Sequence, residues 1–259
     1  MLKYGYLVVE GPHDVEFVAR ILKPYGFNRI KLKSNLDPFW DDLVPDRFPP
    51  DGEDLLKRVP VPTFLTNATH SVAIDSARGD TRIAQTVQES LAYVKPDQLV
   101  GVGLILDADA QVTPADQFLS IKARVTSLGM SLQLPDNPGE VRQGSPKAGV
   151  FVLPDNQSQG TLEDILLECA GIAYPSLLAG AGTFVQGVDL DALTRKDKEE
   201  FRKPAGETKA TVSSISSILK PGKAIQVSIQ DNRWLKDDAL NLPRVKAVQT
   251  FLAELLEIP

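Results

Sequence analysis

The chain has 259 residues, long enough to bury a substantial core and sized for one large domain or a domain with an appendage. Its hydrophobic share of 42% and charged share of 24% are ordinary for a soluble globular protein, no stretch has the apolar length of a membrane span, and the net charge of -6 argues against indiscriminate nucleic-acid binding. One cysteine, Cys169, excludes an internal disulfide and a cysteine-rich zinc site, and two histidines, His13 and His70, exclude a histidine-rich one, so any metal would be held mainly by oxygen, which favours Mg²⁺, Mn²⁺ or Ca²⁺.

Met1-Leu2-Lys3 runs straight into a strand-like segment, Tyr4–Val9, rich in aromatic and β-branched residues. No signal peptide is expected, and a cytoplasmic location fits. Glu10-Gly11-Pro12 breaks this strand. Pro12 suits a first helical turn, Asp14 suits the positive end of the helix dipole, and Val15, Val18, Ala19 and Leu22 carry the helical period to about Lys23. Residues 34–62 are rich in Pro and Asp and read as a long loop or lid, with one short helix at Glu53–Arg58. Phe64–Ile74 reads as a second strand, and a helix follows from Gly79 to about Tyr93.

Leu99–Leu106 is a short apolar run that ends in Asp107-Ala108-Asp109, as a strand buried on both faces would. Side chains alternate along a strand, so Asp107 and Asp109 point the same way if the extended geometry persists. Two like charges there repel unless a cation lies between them, although Asp is also a common turn former. Pro114–Leu128 is helical. Ala148–Leu153 is the next strand, and Thr161 with Asp164 has capping-box spacing at the head of a further helix whose buried face includes Leu162, Ile165, Leu166 and Cys169.

Beyond Ala170 the pattern changes to a charged helix Leu190–Arg202, a Ser-rich helix Ala210–Leu219, a segment Ala224–Ile229 that suits either a strand or a helix, and an amphipathic helix Pro243–Glu257. From Arg195 to Lys223 there are eight basic residues against four acids, so this stretch is locally basic. Alternating strands and helices indicate an α/β fold with a mainly parallel sheet. The expected organisation is a core over 1–173, interrupted at 34–62, and a mostly helical extension over 174–259 packed on it.

In a parallel sheet the carboxyl ends of the strands gather on one edge, where ligands bind. Glu10 ends the first strand, Asp107 and Asp109 end a later one, and Asp14 lies one helical turn beyond Glu10. If those strands are neighbours, the acids converge. The Glu10-Gly11-Pro12-His13-Asp14 turn, followed by Leu106-Asp107-Ala108-Asp109, resembles the TOPRIM domain of topoisomerases, bacterial primases, small ribonucleases and OLD-family nucleases. The resemblance covers about residues 3–170. It implies a Rossmann-like sheet flanked by helices and one or two Mg²⁺ (or Mn²⁺) ions on Glu10, Asp107 and Asp109. The Gly160–Asp164 segment is similar to a further acidic motif of the small bacterial OLD-like proteins, which implies Glu163 as an additional ligand and Lys209 as an assisting catalytic lysine beside Glu10.

The activity so implied is metal-dependent phosphodiester hydrolysis or transfer on nucleic acid. Two alternatives stand beside it. One is a non-catalytic Mg²⁺- or phosphate-binding module of a larger assembly. The other is a nucleotide-sugar transferase using the Asp-x-Asp pair, which leaves the turn at Glu10 unexplained. No Gly-x-x-x-x-Gly-Lys-Ser/Thr pattern is present, so an ATPase would be a separate protein partner. A homo-oligomer is also compatible, and a membrane is not expected.

Overall fold

The computed structural model describes residues 2–45, 61–109 and 111–259. Its centre is a seven-stranded sheet: β1 (Lys3–Val9), β2 (Asn28–Arg29), β3 (Thr63–Thr66), β4 (His70–Ser76), β5 (Leu99–Asp107), β6 (Val141–Arg142) and β7 (Lys147–Leu153), in the order β2-β3-β4-β1-β5-β7-β6. The four inner strands are parallel: β1 pairs with β4 and β5, and β5 with β7. The remaining pairings, at both margins, are antiparallel.

The inner strands read as continuous apolar runs because both faces are covered. Tyr6, Leu7, Val8 and Val9 of β1 are fully buried. Alternate residues feed two cores. Leu7, Val9, Ile105, Phe151 and Leu153 face one core, with α1 (Pro12–Leu22), α4 (Leu162–Ala173) and α9 (Pro243–Leu256). Tyr6, Val8, Leu104, Leu106 and Val152 face the other, with α2 (Ile83–Leu91) and α3 (Pro114–Ser127).

The extension beyond residue 174 comprises α5 (Pro175–Gln186), α6 (Arg195–Phe201), α7 (Gly206–Leu219), α8 (Ile225–Asp231) and α9. It shares the first core, and α9 lies directly on the sheet. Strand glycines admit it: a Cβ on Gly101 would sit 2.3 Å from the Leu255 carbonyl oxygen, and one on Gly149 would sit 2.6 Å from the Phe251 ring. Among the described residues, no helix is long and apolar enough to cross a membrane.

Three expectations change, and one segment left open between strand and helix, Ala224–Ile229, is resolved. The single strand over Phe64–Ile74 is a hairpin, β3 and β4, because Asn67 Oδ1 accepts from the backbone N–H of Thr69 and of His70 at 2.9 and 2.8 Å and reverses the chain. Ala224–Ile229 is helical, as part of α8. The charged helix over Leu190–Arg202 is split: a 3₁₀ turn, Leu190–Ala192, precedes α6, which Thr194 caps by accepting from Asp197 N at 3.3 Å. The described part of 34–62 is not a loose loop: Trp40 is fully buried, donates to Ser71 Oγ at 2.8 Å and packs edge-on to Tyr4. The short helix expected at Glu53–Arg58 lies outside the described residues.

Candidate active site

The parallel pairing of β4, β1 and β5 sets three chain turns side by side on one edge. Glu10 follows β1, Asp107 closes β5, and residues 77–79 follow β4. A cavity of about 230 Å³ opens there, lined by Glu10, Asp14, Asp107 and Glu163, with His13 and Lys209. Arg78 and Gly79 complete the β4 side.

Each carboxylate is held by a local backbone rule. Asp14 accepts from Gly11 N at 2.8 Å, so it caps its own helix and is only 7% exposed. Asp107 Oδ1 accepts from Leu162 N, the first residue of α4, at 2.9 Å. Glu10 Oε2 lies 3.5 Å from Asp107 N, a long contact that joins the ends of the two strands. Glu163 is 6% exposed, with Oε1 3.8 Å from His13 Nδ1. Its neighbour Asp164 accepts from Thr161 N at 2.7 Å and is a cap.

Electrostatics mark the acids as mutually unfavourable. Burial, then the charges of Glu10 and Glu163, push Asp14 up to about 7, against the pull of the Gly11 N–H. Burial and then Asp14, Glu10 and Glu163 push Asp107 well above the usual carboxylate range. Glu10 is also raised, by burial first and by Asp109 and Asp80, while Lys209 lowers it. Burial alone would raise Glu163, but the His13 side chain and the Lys209 charge hold it below its ordinary value.

Five of the six residues singled out from the sequence therefore line one cavity: Glu10, Asp14, Asp107, Glu163 and Lys209. Asp109 does not. The strand ends at Asp107, and Asp109 turns into the left-handed region with φ of +62° while its carbonyl accepts from Gly160 N at 3.2 Å. The alternation that would have aligned the two side chains is broken there, and Asp109 is exposed, acting on Glu10 only through its charge. Arg78 and Gly79 escaped the sequence reading, which placed Gly79 at a helix start. Their one signal is position: they follow a strand that pairs with β1.

Oxygen donors dominate the cavity, their repulsion would be relieved by a cation, and hard divalent ions favour such ligands. The donor set thus fits Mg²⁺ or Mn²⁺ in kind. Among the described residues, no three ligand-type side chains already surround one point, and Asp14 and Asp107 each give an oxygen to a backbone N–H.

No curated protein matches the chain. The crystal structure of a hypothetical protein from Pyrococcus horikoshii OT3 is similar over 99% of this chain and 98% of that one, with 19% identity and a TM-score of 0.54. That likeness speaks for the fold alone. A family profile matches residues 4–257, so nearly the whole chain is covered, and the chain belongs to the family described as Protein of unknown function (DUF3226).

Proposed function

We propose that this cavity carries out metal-dependent hydrolysis or transfer of phosphodiester bonds in nucleic acid, as a nuclease of the TOPRIM class. The observation that carries the reading is the meeting of Glu10, Asp14, Asp107 and Glu163, from three separate stretches of chain, at the carboxyl edge of the parallel strands. Glu10, Asp14, Asp107 and Glu163 would hold one or two Mg²⁺ or Mn²⁺ ions, with Asp109 adding charge from the rim. Such an ion supplies Lewis-acid polarisation of a phosphoryl oxygen and lowers the pKa of a water. A Glu10 carboxylate oxygen left free by the ion would take a proton from water and return it to the leaving oxygen. Lys209 places an ammonium where negative charge grows on the phosphate, and the basic run from Arg195 to Lys223 contacts the nucleic-acid backbone. A cytoplasmic location and a separate protein partner, such as an ATPase, or a homo-oligomer complete the proposal.

A second reading, a non-catalytic Mg²⁺- or phosphate-binding module, is favoured by one observation: the carboxylates do not already surround a common point. Calorimetric titration with Mn²⁺ and Mg²⁺, run on wild type and on Asp107→Ala/Asp109→Ala with plasmid and RNA cleavage on the same preparations, decides between them. Binding and cleavage lost together in the variant support the nuclease. Binding by wild type without cleavage selects the module. No binding by wild type, with nucleic acid absent or present, overturns both metal readings.

A further inference from the structure

The cavity's β4 side carries a cation that the metal reading does not use. Arg78 lines the same cavity as the four carboxylates. It sits at φ of +59°, a left-handed conformation that residues with a Cβ rarely adopt. Its peptide neighbours lock it there: Ala77 N donates to Val9 O at 2.9 Å and Gly79 N donates to Glu10 O at 3.0 Å. Both bonds go to the end of β1, so the backbone of Arg78 moves as one piece with Glu10. A strained arrangement of this kind, pinned next to a site, points from the outlier toward a use for its side chain.

The guanidinium itself is uncommitted. Arg78 is exposed, and it forms no hydrogen bond or ion pair with the described residues. Its charge acts at a distance on Asp75, whose carboxylate already accepts from Tyr6 Oη at 3.1 Å. The strand order β4-β1-β5 puts Arg78 on one side of Glu10 and Asp107 on the other. Two strand spacings amount to about 10 Å. The backbones of Arg78 and Asp107 therefore approach the shared cavity from opposite sides of Glu10, which sets Arg78 to meet a phosphate next to the one held at the carboxylates. A planar guanidinium with a free fork of N–H donors matches phosphate oxygens in pairs.

We propose that Arg78 is a substrate-positioning residue that grips the phosphate flanking the scissile one, which makes the substrate a chain with at least two consecutive phosphodiesters. This rests on the nuclease reading of the cavity, and its test is separable from that reading. The variants are Arg78→Gly, which suits a positive φ and removes the charge, and Arg78→Lys, which keeps the charge without the fork. The readouts are anisotropy of short labelled single-stranded DNA and RNA in chelator and in Mn²⁺, calorimetric Mn²⁺ binding, and thermal unfolding.

Wild type is expected to bind the oligonucleotides. Arg78→Gly weakens that binding about tenfold, as loss of a charge-assisted bidentate contact should, and lowers the salt slope by about one. It does not weaken Mn²⁺ binding, since it removes a positive charge from the cavity, and it unfolds no lower than wild type. Arg78→Lys restores the salt slope but not the full affinity. A merely structural Arg78 would shift thermal unfolding and leave the salt slope alone. Unchanged affinity and slope in Arg78→Gly, or no oligonucleotide binding by wild type, overturns the proposal. Oligonucleotide binding that depends on Arg78 in a wild type that takes up no Mn²⁺ sinks the metal chemistry and leaves the phosphate grip standing.

Discussion

Asp75 and Asp107 belong to the two strands that flank β1, and they keep opposite company. Asp75 is 6% exposed and faces donors on one oxygen, with Tyr6 Oη 3.1 Å and Ser90 Oγ 3.5 Å from Oδ2, while Oδ1 is buried without a hydrogen-bond partner among the described residues. Burial raises its pKa, while these hydroxyls and the backbone of Ser76 pull it back. Asp107 has one backbone donor, Leu162 N, and otherwise faces Asp14, Glu10 and Glu163, all of which push the same way as burial. A buried acid met by donors is a fixture of the fold. A cluster of acids met by acids lowers stability until something positive arrives, and a binding site is where such an arrangement persists.

The largest separation between the two is expected in turnover. Glu10→Gln or Asp107→Asn should lower kcat by roughly 10²–10⁴, the range for loss of a group handling protons or charge in the transition state. Neither should lower thermal stability, because each removes a repelling charge. Asp75→Asn should leave kcat unchanged. Steady-state nuclease kinetics alongside thermal unfolding reads all three. A destabilised but active Asp107→Asn would put Asp107 in the same class as Asp75.

The next effect is linkage. Asp14 is raised from 3.8 to about 7, and Asp107 is raised as well. The folded state therefore keeps protons on these two groups that the unfolded chain has already lost, and the stability these two contribute is fully present below the unfolded pKa and lost as pH rises through the folded one. In chelator it should fall as pH rises through the interval from about 4 to about 7, by at most about 1.4 kcal/mol per pH unit for each retained proton. Mg²⁺ should flatten that fall by stabilising the ionised cluster, and Asp14→Asn should remove much of it. Burial raises Asp75 in the same direction, but its share should not respond to Mg²⁺. Urea unfolding across this pH interval, with and without Mg²⁺, distinguishes the two shares.

A smaller effect tests Asp75 directly. Asp75→Ala leaves the fully buried Tyr6 hydroxyl without its acceptor, which should cost about 1–3 kcal/mol of stability. Mn²⁺ affinity should not change. A loss of metal binding in this variant would extend the cavity's charge network across β1.

These contrasts also show where sequence reasoning reached its limit. β1, β5 and β7 were legible because burial on both faces writes an unbroken apolar run, α1 because Pro12 and Asp14 open the period of Val15, Val18, Ala19 and Leu22, and α4 because Asp164 sits three residues beyond Thr161. The convergence of Glu10 with Asp107 was legible as strand-end acids once the strands were taken as neighbours. The β3–β4 hairpin was not, because Asn67 reverses the chain inside what reads as one apolar segment. Nor was α5, whose run of Gly, Ala, Leu and Thr has little helical contrast. Arg78 was hidden for a different reason: one arginine after a strand has no period, and only the sheet order reveals what it faces.

The smallest expected effect concerns Asp109, and it tests whether the pair acts as a pair. Strict alternation would make Asp107 and Asp109 equivalent ligands. The turn at φ of +62°, held by Gly160 N at 3.2 Å, turns Asp109 out to solvent instead. Asp109→Asn should therefore keep the fold, since Asn tolerates the left-handed region, and should lower kcat/KM by less than about tenfold, a cost under about 1.4 kcal/mol. Its influence on Glu10 is a screened charge effect, so the deficit should shrink as salt is raised. A loss as deep as that of Asp107→Asn, insensitive to salt, would mean that the turn rearranges on binding to bring Asp109 into the ligand set. The 107–109 segment would then be a moving part of the site, and the static contrast between donors and acids would have to be redrawn around the bound state.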